Sequence, residues 1–184
     1  MNNGIYRRND RALIKLNNNS ISAVSALPSG IDTGKVGQVV SVSKTDAFTT
    51  TSTSLTALTG LTASITPTAT SSKILVSVNI GASDATSNII IIFQLLRGAT
   101  VIGSGDASGS RSRVMFTQHT PASNRASSQS NQFLDAPSST SEQTYSIKTS
   151  CNSGTMYINR SSGDGDSPTY GRTISTITLT EILA

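Results

Sequence analysis

At 184 residues the chain has room for one domain of about 100 to 200 residues and a small appendage. Only 13% of its residues are charged, Trp is absent, and Ser and Thr abound, which argues against a helical protein with Glu/Lys-laced faces; the single cysteine, Cys151, excludes an intramolecular disulfide framework. The net charge of +4 owes much to Arg7, Arg8, Arg11 and Lys15, so no basic face runs over the rest of the chain and nucleic-acid binding is not expected.

The first stretch, residues 1–35, is Asn-rich and basic, is punctuated by Pro28-Ser29-Gly30, and reads as an extended N-terminal arm preceding a domain over residues 36–184. Leu13 and Ile14 run at once into Lys15 and an asparagine run, so no signal peptide is expected and the protein is expected to fold in a cytoplasm. Strands are predicted at Val36–Val42 and Asp46–Thr50. Leu61, Ala63 and Ile65 then alternate with polar residues until Pro67, as a half-buried strand does. Lys73–Ile80 follows, closed by Gly81, and then Asn88–Arg97, whose Arg97-Gly98-Ala99-Thr100 turns into Val101–Gly103 because glycine supplies the positive φ of a tight turn. Further strands are predicted at Arg113–Thr117, Asn131–Asp135, Thr144–Lys148, Thr155–Asn159 and Thr173–Ile182, with a polar loop over Gln118–Gln129. Roughly eight to ten short strands with regular turn signals and no helical period predict an all-β fold, an antiparallel jelly-roll-like sandwich.

Ile89, Ile90, Ile91, Ile92 and Phe93 put apolar side chains on both faces of one strand. One face fills the sandwich. The other is expected to meet a partner subunit, with burial by a loop or by the N-terminal segment as the alternative. The run is far shorter than the roughly 20 residues of a membrane helix, so no membrane insertion is expected.

Chemistry-bearing residues are sparse. His119 and Cys151 form a Cys-His pair by number only, since His119 sits in a polar loop and Cys151 ends a strand as a small apolar residue. No Gly-x-Ser-x-Gly elbow precedes a helix. Gly163-Asp164-Gly165-Asp166-Ser167 offers too few oxygens for calcium and reads as an exposed turn. Arg111-Ser112-Arg113 reads as edge-strand charge, and Tyr145, Tyr157 and Tyr170 as packing residues with a second reading as sugar platforms. The chain is therefore expected to be non-enzymatic, with no cofactor and no metal.

Five stretches carry a family likeness: Gly34–Val40, the "SITPTATSSKILVSVNI" run of Ser64–Ile80, "FLDAPSST" of Phe133–Thr140, "YINRSSGDGD" of Tyr157–Asp166 and "STITLTEI" of Ser175–Ile182. From Lys35 onward, about four fifths of its length, the chain resembles a jelly-roll-like β-domain of tailed-bacteriophage virion proteins, notably cyanophage capsid decoration proteins and fibre tips. The resemblance implies a homotrimeric head on the virion surface and no catalytic residues. With no long shaft, a capsid decoration or cement protein is expected. Its arm would carry Ile5, Tyr6, Arg7, Arg8, Arg11, Leu13 and Ile14 onto the major capsid protein or another virion protein; a free tail is the alternative. The rival readings are the receptor-binding tip of a short tail fibre, meeting host surface glycan through Gln118–Gln129 and Ser161–Gly171, and a non-catalytic glycan-binding module.

Overall fold

The computed structural model describes residues 7–8, 11–12, 35–85, 89–120 and 125–183. The chain divides into two compact units, Met1–Thr33 and Gly34–Ala184. In the first, β1 (Arg7–Arg8) and β2 (Arg11–Ala12) pair antiparallel, Arg7 opposite Ala12 and Arg8 opposite Arg11.

The second unit holds β3 (Lys35–Lys44), β4 (Phe48–Thr50), β5 (Thr56–Ile65), β6 (Lys73–Asp84), β7 (Ile89–Arg97), β8 (Thr100–Ile102), β9 (Phe116–Thr120), β10 (Ser127–Asp135), β11 (Gln143–Cys151), β12 (Met156–Ile158) and β13 (Ser175–Leu183). Every pairing is antiparallel. In sheet one, β13 and β12 lie end to end along one side of β6, β10 takes its other side, and β3 and β4 form the edge beyond β13 and β12. In sheet two the order is β5, β11, β7, with β8 and β9 sharing the far side of β7. With β3/β4, β8/β9 and β12/β13 each counted as one row, the rows number one to eight along the chain; sheet one runs 1-8-3-6 and sheet two 2-7-4-5. That is the connectivity of a jelly roll, as the strand count predicted.

The core lies where alternation along the strands points it. Ile74, Val76, Val78, Ile80, Ile177 and Leu179 of sheet one face Leu61, Ile65, Ile91, Phe93, Leu95 and Ile147 of sheet two, all buried. Each such side chain contributes about 1.5–3 kcal/mol relative to exposure. Phe93 stacks on Phe116 at 4.8 Å. A polar tie also joins the sheets: the Tyr145 hydroxyl of β11 and Arg97 Nη1 of β7 both donate to Asp135 Oδ2 of β10, each at 2.7 Å. Burial first, and the Asp135 carboxylate second, push the Tyr145 phenol well above its ordinary pKa, so it stays a donor. Asp135→Ala leaves the buried phenol without an acceptor while Arg97 can still reach water, and is expected to cost about 2 kcal/mol in urea denaturation.

Several expectations are corrected. Strand β6 does not stop at Gly81 but continues to Asp84, because Ala82–Asp84 pair with β12; the glycine serves close approach instead, since a Cβ there would fall 2.2 Å from Thr173 Oγ1. The strand predicted from Arg113 begins at Phe116, since the Arg113 carbonyl accepts from the Gln94 side chain at 2.7 Å. The supposed loop Gln118–Gln129 contributes to strands at both ends, in β9 and β10. The final strand starts at Ser175, and Ile174 before it is exposed.

Candidate functional site

Both outer faces of the sandwich mix polar cross-strand pairs with exposed apolar side chains; on sheet two Ser64 and Thr144 pair at 2.8 Å. On sheet one, hydroxyls and amides pair across strands: Ser41 with Thr178 (2.8 Å), Gln132 with Ser77 (3.1 Å) and Ser130 with Asn79 (3.1 Å). The same face also carries a cross-strand row of Leu134 (48% exposed), half-buried Leu75, Thr180 and Val39 (57% exposed). On sheet two the outward row of β7 is Ile90, Ile92, Gln94 and Leu96, with Val101 opposite Leu96. Ile90 is 45% and Val101 38% exposed, Ile92 is half-buried, and Leu96 is buried. Of the five residues expected at an interface, Ile89, Ile91 and Phe93 face the core of their own chain. Ile90 and Ile92 alone among them are placed to meet anything else.

The second feature is the connection between β12 and β13. Asn159 to Thr173 crosses the outer side of sheet one above Gly81, where Thr173 and Ser128 both approach the missing side chain. Its two ends are pinned together, Arg160 bridging to Arg172 and the Ser161 N–H donating to Gly171 O at 3.1 Å. Asp164 reinforces the pin by accepting from Arg160 Nη1 (2.9 Å) and Arg172 Nη2 (2.5 Å). The Arg160 guanidinium also donates to two loop carbonyls and lies 4.4 Å above the Tyr157 ring. Between this loop and the start of β10 opens a cleft of about 520 Å³, lined by Arg125, Ala126, Ser161, Thr169, Tyr170 and Thr173. A smaller one of about 320 Å³ lies on the other side of Tyr170, lined by Asp164, Asp166 and Arg172 among others.

Register explains why two loops distant in sequence meet. Ala82 of β6 has Ser127 of β10 on one side and Ile158 of β12 on the other. Residues just before β10 and just after β12 are thereby brought to the same end of the sheet. Both loops are recognisable in the sequence, but nothing in local pattern says that they converge.

The remaining candidates are dispersed. Ile5, Tyr6, Leu13 and Ile14 of the arm lie outside the described residues, and Arg7, Arg8 and Arg11 lie in the β1–β2 ladder. His119 pairs with Ile90, an outward position, whereas Cys151 pairs with Ile91, an inward one, so the two side chains sit on opposite faces of sheet two. Burial raises the Cys151 pKa, which keeps the thiol protonated and a poor nucleophile. Among the described residues no three His, Cys, Asp or Glu side chains come together as metal ligands, and Asp164, the first carboxylate of the supposed calcium turn, is taken up by two arginines. Arg111 and Arg113 bond within their own loop, to Ser108 Oγ and Gly105 O, both at 2.9 Å. Of the three tyrosines, Tyr145 is buried, Tyr157 packs under Arg160, and Tyr170 stands 37% exposed between the two clefts.

No protein-family model and no curated protein matches the chain. Among solved structures, a chain in the structure of infectious bursal disease virus, Gx strain, is similar over 88% of this chain and 45% of its own length, at 12% identity and a TM-score of 0.40. This chain thus spans less than half of that protein.

Proposed function

We propose that this protein is a non-catalytic structural component of a tailed-bacteriophage particle, a capsid decoration or cement protein that forms a homotrimer on the virion surface. In this reading residues 1–35 anchor it to the major capsid protein or another virion protein. The observation that carries assembly is the exposed apolar side chains on the outer face of sheet two, Ile90 on β7 and Val101 on β8 with Ile92 half-buried, to which sheet one adds Val39 and Leu134 on its own outer face. The sequence resemblance over Lys35 to the C-terminus supports the virion setting, and the placement of His119 and Cys151 on opposite sheet faces supports the absence of Cys-His chemistry.

Ile90→Asp tests the assembly. The side chain is outside the core, so the variant is expected to keep the wild-type circular dichroism spectrum while light scattering shows a fall from trimer to monomer. A wild-type chain that is monomeric at high micromolar concentration sinks the proposal. Cryo-electron microscopy of particles with and without residues 1–35 tests the location: density on the capsid lattice that disappears with the deletion is the expected result.

A second reading, the receptor-binding tip of a short tail fibre, is favoured by one specific observation. The two loops singled out for host contact line a common cleft. Density confined to the tail, with adsorption lost on deletion, would decide for it.

A further inference from the structure

We infer that the cleft between Arg125 and Tyr170 is a binding site for an acidic saccharide, with the Tyr170 ring as the platform for a sugar face and Arg125 as the partner of its carboxylate. The inference rests on the saccharide-recognition reading, not on the capsid one. Three observations carry it.

The first is the way Tyr170 is held. Its ring lies against Gly163, where a Cβ would come 2.7 Å from Cε1 and Cζ and 3.1 Å from the hydroxyl, and a Cβ on Gly165 would lie 3.6 Å from Cε2 at the other ring edge. The platform thus rests on backbone without intervening side chains. The Tyr170 N–H donates to Ser167 O at 3.1 Å, and the Asp164 clamp on Arg160 and Arg172 closes the loop beneath. A ring fixed in this way loses little freedom when a sugar stacks on it, and that pre-organisation favours affinity.

The second is charge. Arg160 and Arg172 are both satisfied by Asp164, but Arg125 is exposed at the cleft wall with no hydrogen bond or ion pair to any described residue. The neighbourhood holds three arginines against Asp164 and Asp166, an excess of one positive charge. A planar guanidinium with open donors matches a carboxylate in two parallel hydrogen bonds. A neutral sugar would leave it unused.

The third is size and polarity. A volume of about 520 Å³ falls within the range of small-ligand sites, and Ser161, Thr169 and Tyr170 bring hydroxyl-bearing side chains to its lining.

The test uses the full chain in its native assembly. Short oligogalacturonates serve as the acidic probe and cello-oligosaccharides as the neutral one, read by saturation-transfer NMR and titration calorimetry. The acidic probe is expected to bind and the neutral one to bind at least tenfold more weakly. Tyr170→Ala and Arg125→Gln should each weaken the acidic probe by about tenfold or more, and Arg125→Gln should also abolish the preference over the neutral probe. Gly163→Ala, which touches no ligand but pushes the ring, should weaken both probes without changing the preference. Lack of binding to the acidic probe, or binding unaffected by all three substitutions, overturns the site. Failure of the broader reading is seen separately, as failure of the wild-type protein to bind surface polysaccharide of the host cell. If it binds that material but the three variants bind equally well, recognition stands and the assignment to this cleft falls.

Discussion

Replacing Asn159 by alanine is expected to lower stability by about 4 kcal/mol and the melting temperature by about 10 °C. Asn159 is fully buried and stands at φ 63°, the left-handed region that asparagine tolerates better than most residues. Its amide donates to Lys44 O (2.7 Å) and Asp46 O (3.1 Å), and its carbonyl accepts from Ser175 Oγ at 2.6 Å; that serine in turn accepts from the Gly81 N–H at 3.2 Å. One side chain therefore joins the β3–β4 break, the end of β12 and the start of β13 and, through Ser175, Gly81 of β6. Alanine removes both donors and the acceptor from a place without water, and adds about 1 kcal/mol for its own φ. Asn159→Gly separates the two contributions. It should recover about 1 kcal/mol over alanine, measured by urea denaturation, and equal stability of the two variants would show that φ carries none of the cost. Because this network frames the loop that forms the cleft, any ligand affinity should fall along with stability.

The strands that carry the core were legible because their inward residues are aliphatic at every second position: Leu61, Ala63 and Ile65, Ile74 to Ile80, and Ile147. Strand β10 was seen only from Asn131 because Ser127 to Ser130 are exposed and polar on both faces, as an edge row near the rim permits. Row order was not legible, since each sheet pairs strands from opposite ends of the chain, β3 with β13 and β5 with β11, and no local pattern encodes such a pairing. For the same reason the convergence of Arg125 with Tyr170 had to come from the register at Ala82. Asn159 carried one weak signal, an asparagine after an apolar strand and before a turn-rich loop. The two-faced apolar strand was read correctly as such, and only the structure divides it into Ile89, Ile91 and Phe93 inside and Ile90 and Ile92 outside.

Glu181 is the departure with the largest consequence for behaviour in acid. Strand β13 points Ser175, Ile177, Leu179 and then Glu181 inward, so a carboxylate fills a slot where alternation calls for an aliphatic side chain. Burial is the strongest single influence on it and opposes ionisation. Hydrogen bonds from Gln38 Nε2 (2.8 Å), the Thr68 N–H (2.6 Å) and the Thr68 hydroxyl (2.8 Å) together outweigh burial and bring its pKa down to about 2. These donors come from β3 and from the β5–β6 connection, so the anion holds the last strand against both. The folded pKa lies below the ordinary glutamate value of 4.5, so the unfolded chain takes up the proton first. The contribution is therefore complete above about pH 4.5 and is lost progressively as the pH falls toward 2. Glu181→Gln keeps the shape and removes this titration. The difference in melting temperature between wild type and variant should be constant from pH 8 to about pH 5 and shrink steadily below about pH 4.5, while groups common to both cancel. Glu181→Ala, which leaves three donors unmatched, should cost about 3 kcal/mol at neutral pH. A difference between wild type and Glu181→Gln that does not change with pH would mean that the carboxylate titrates normally and that the donors serve shape alone.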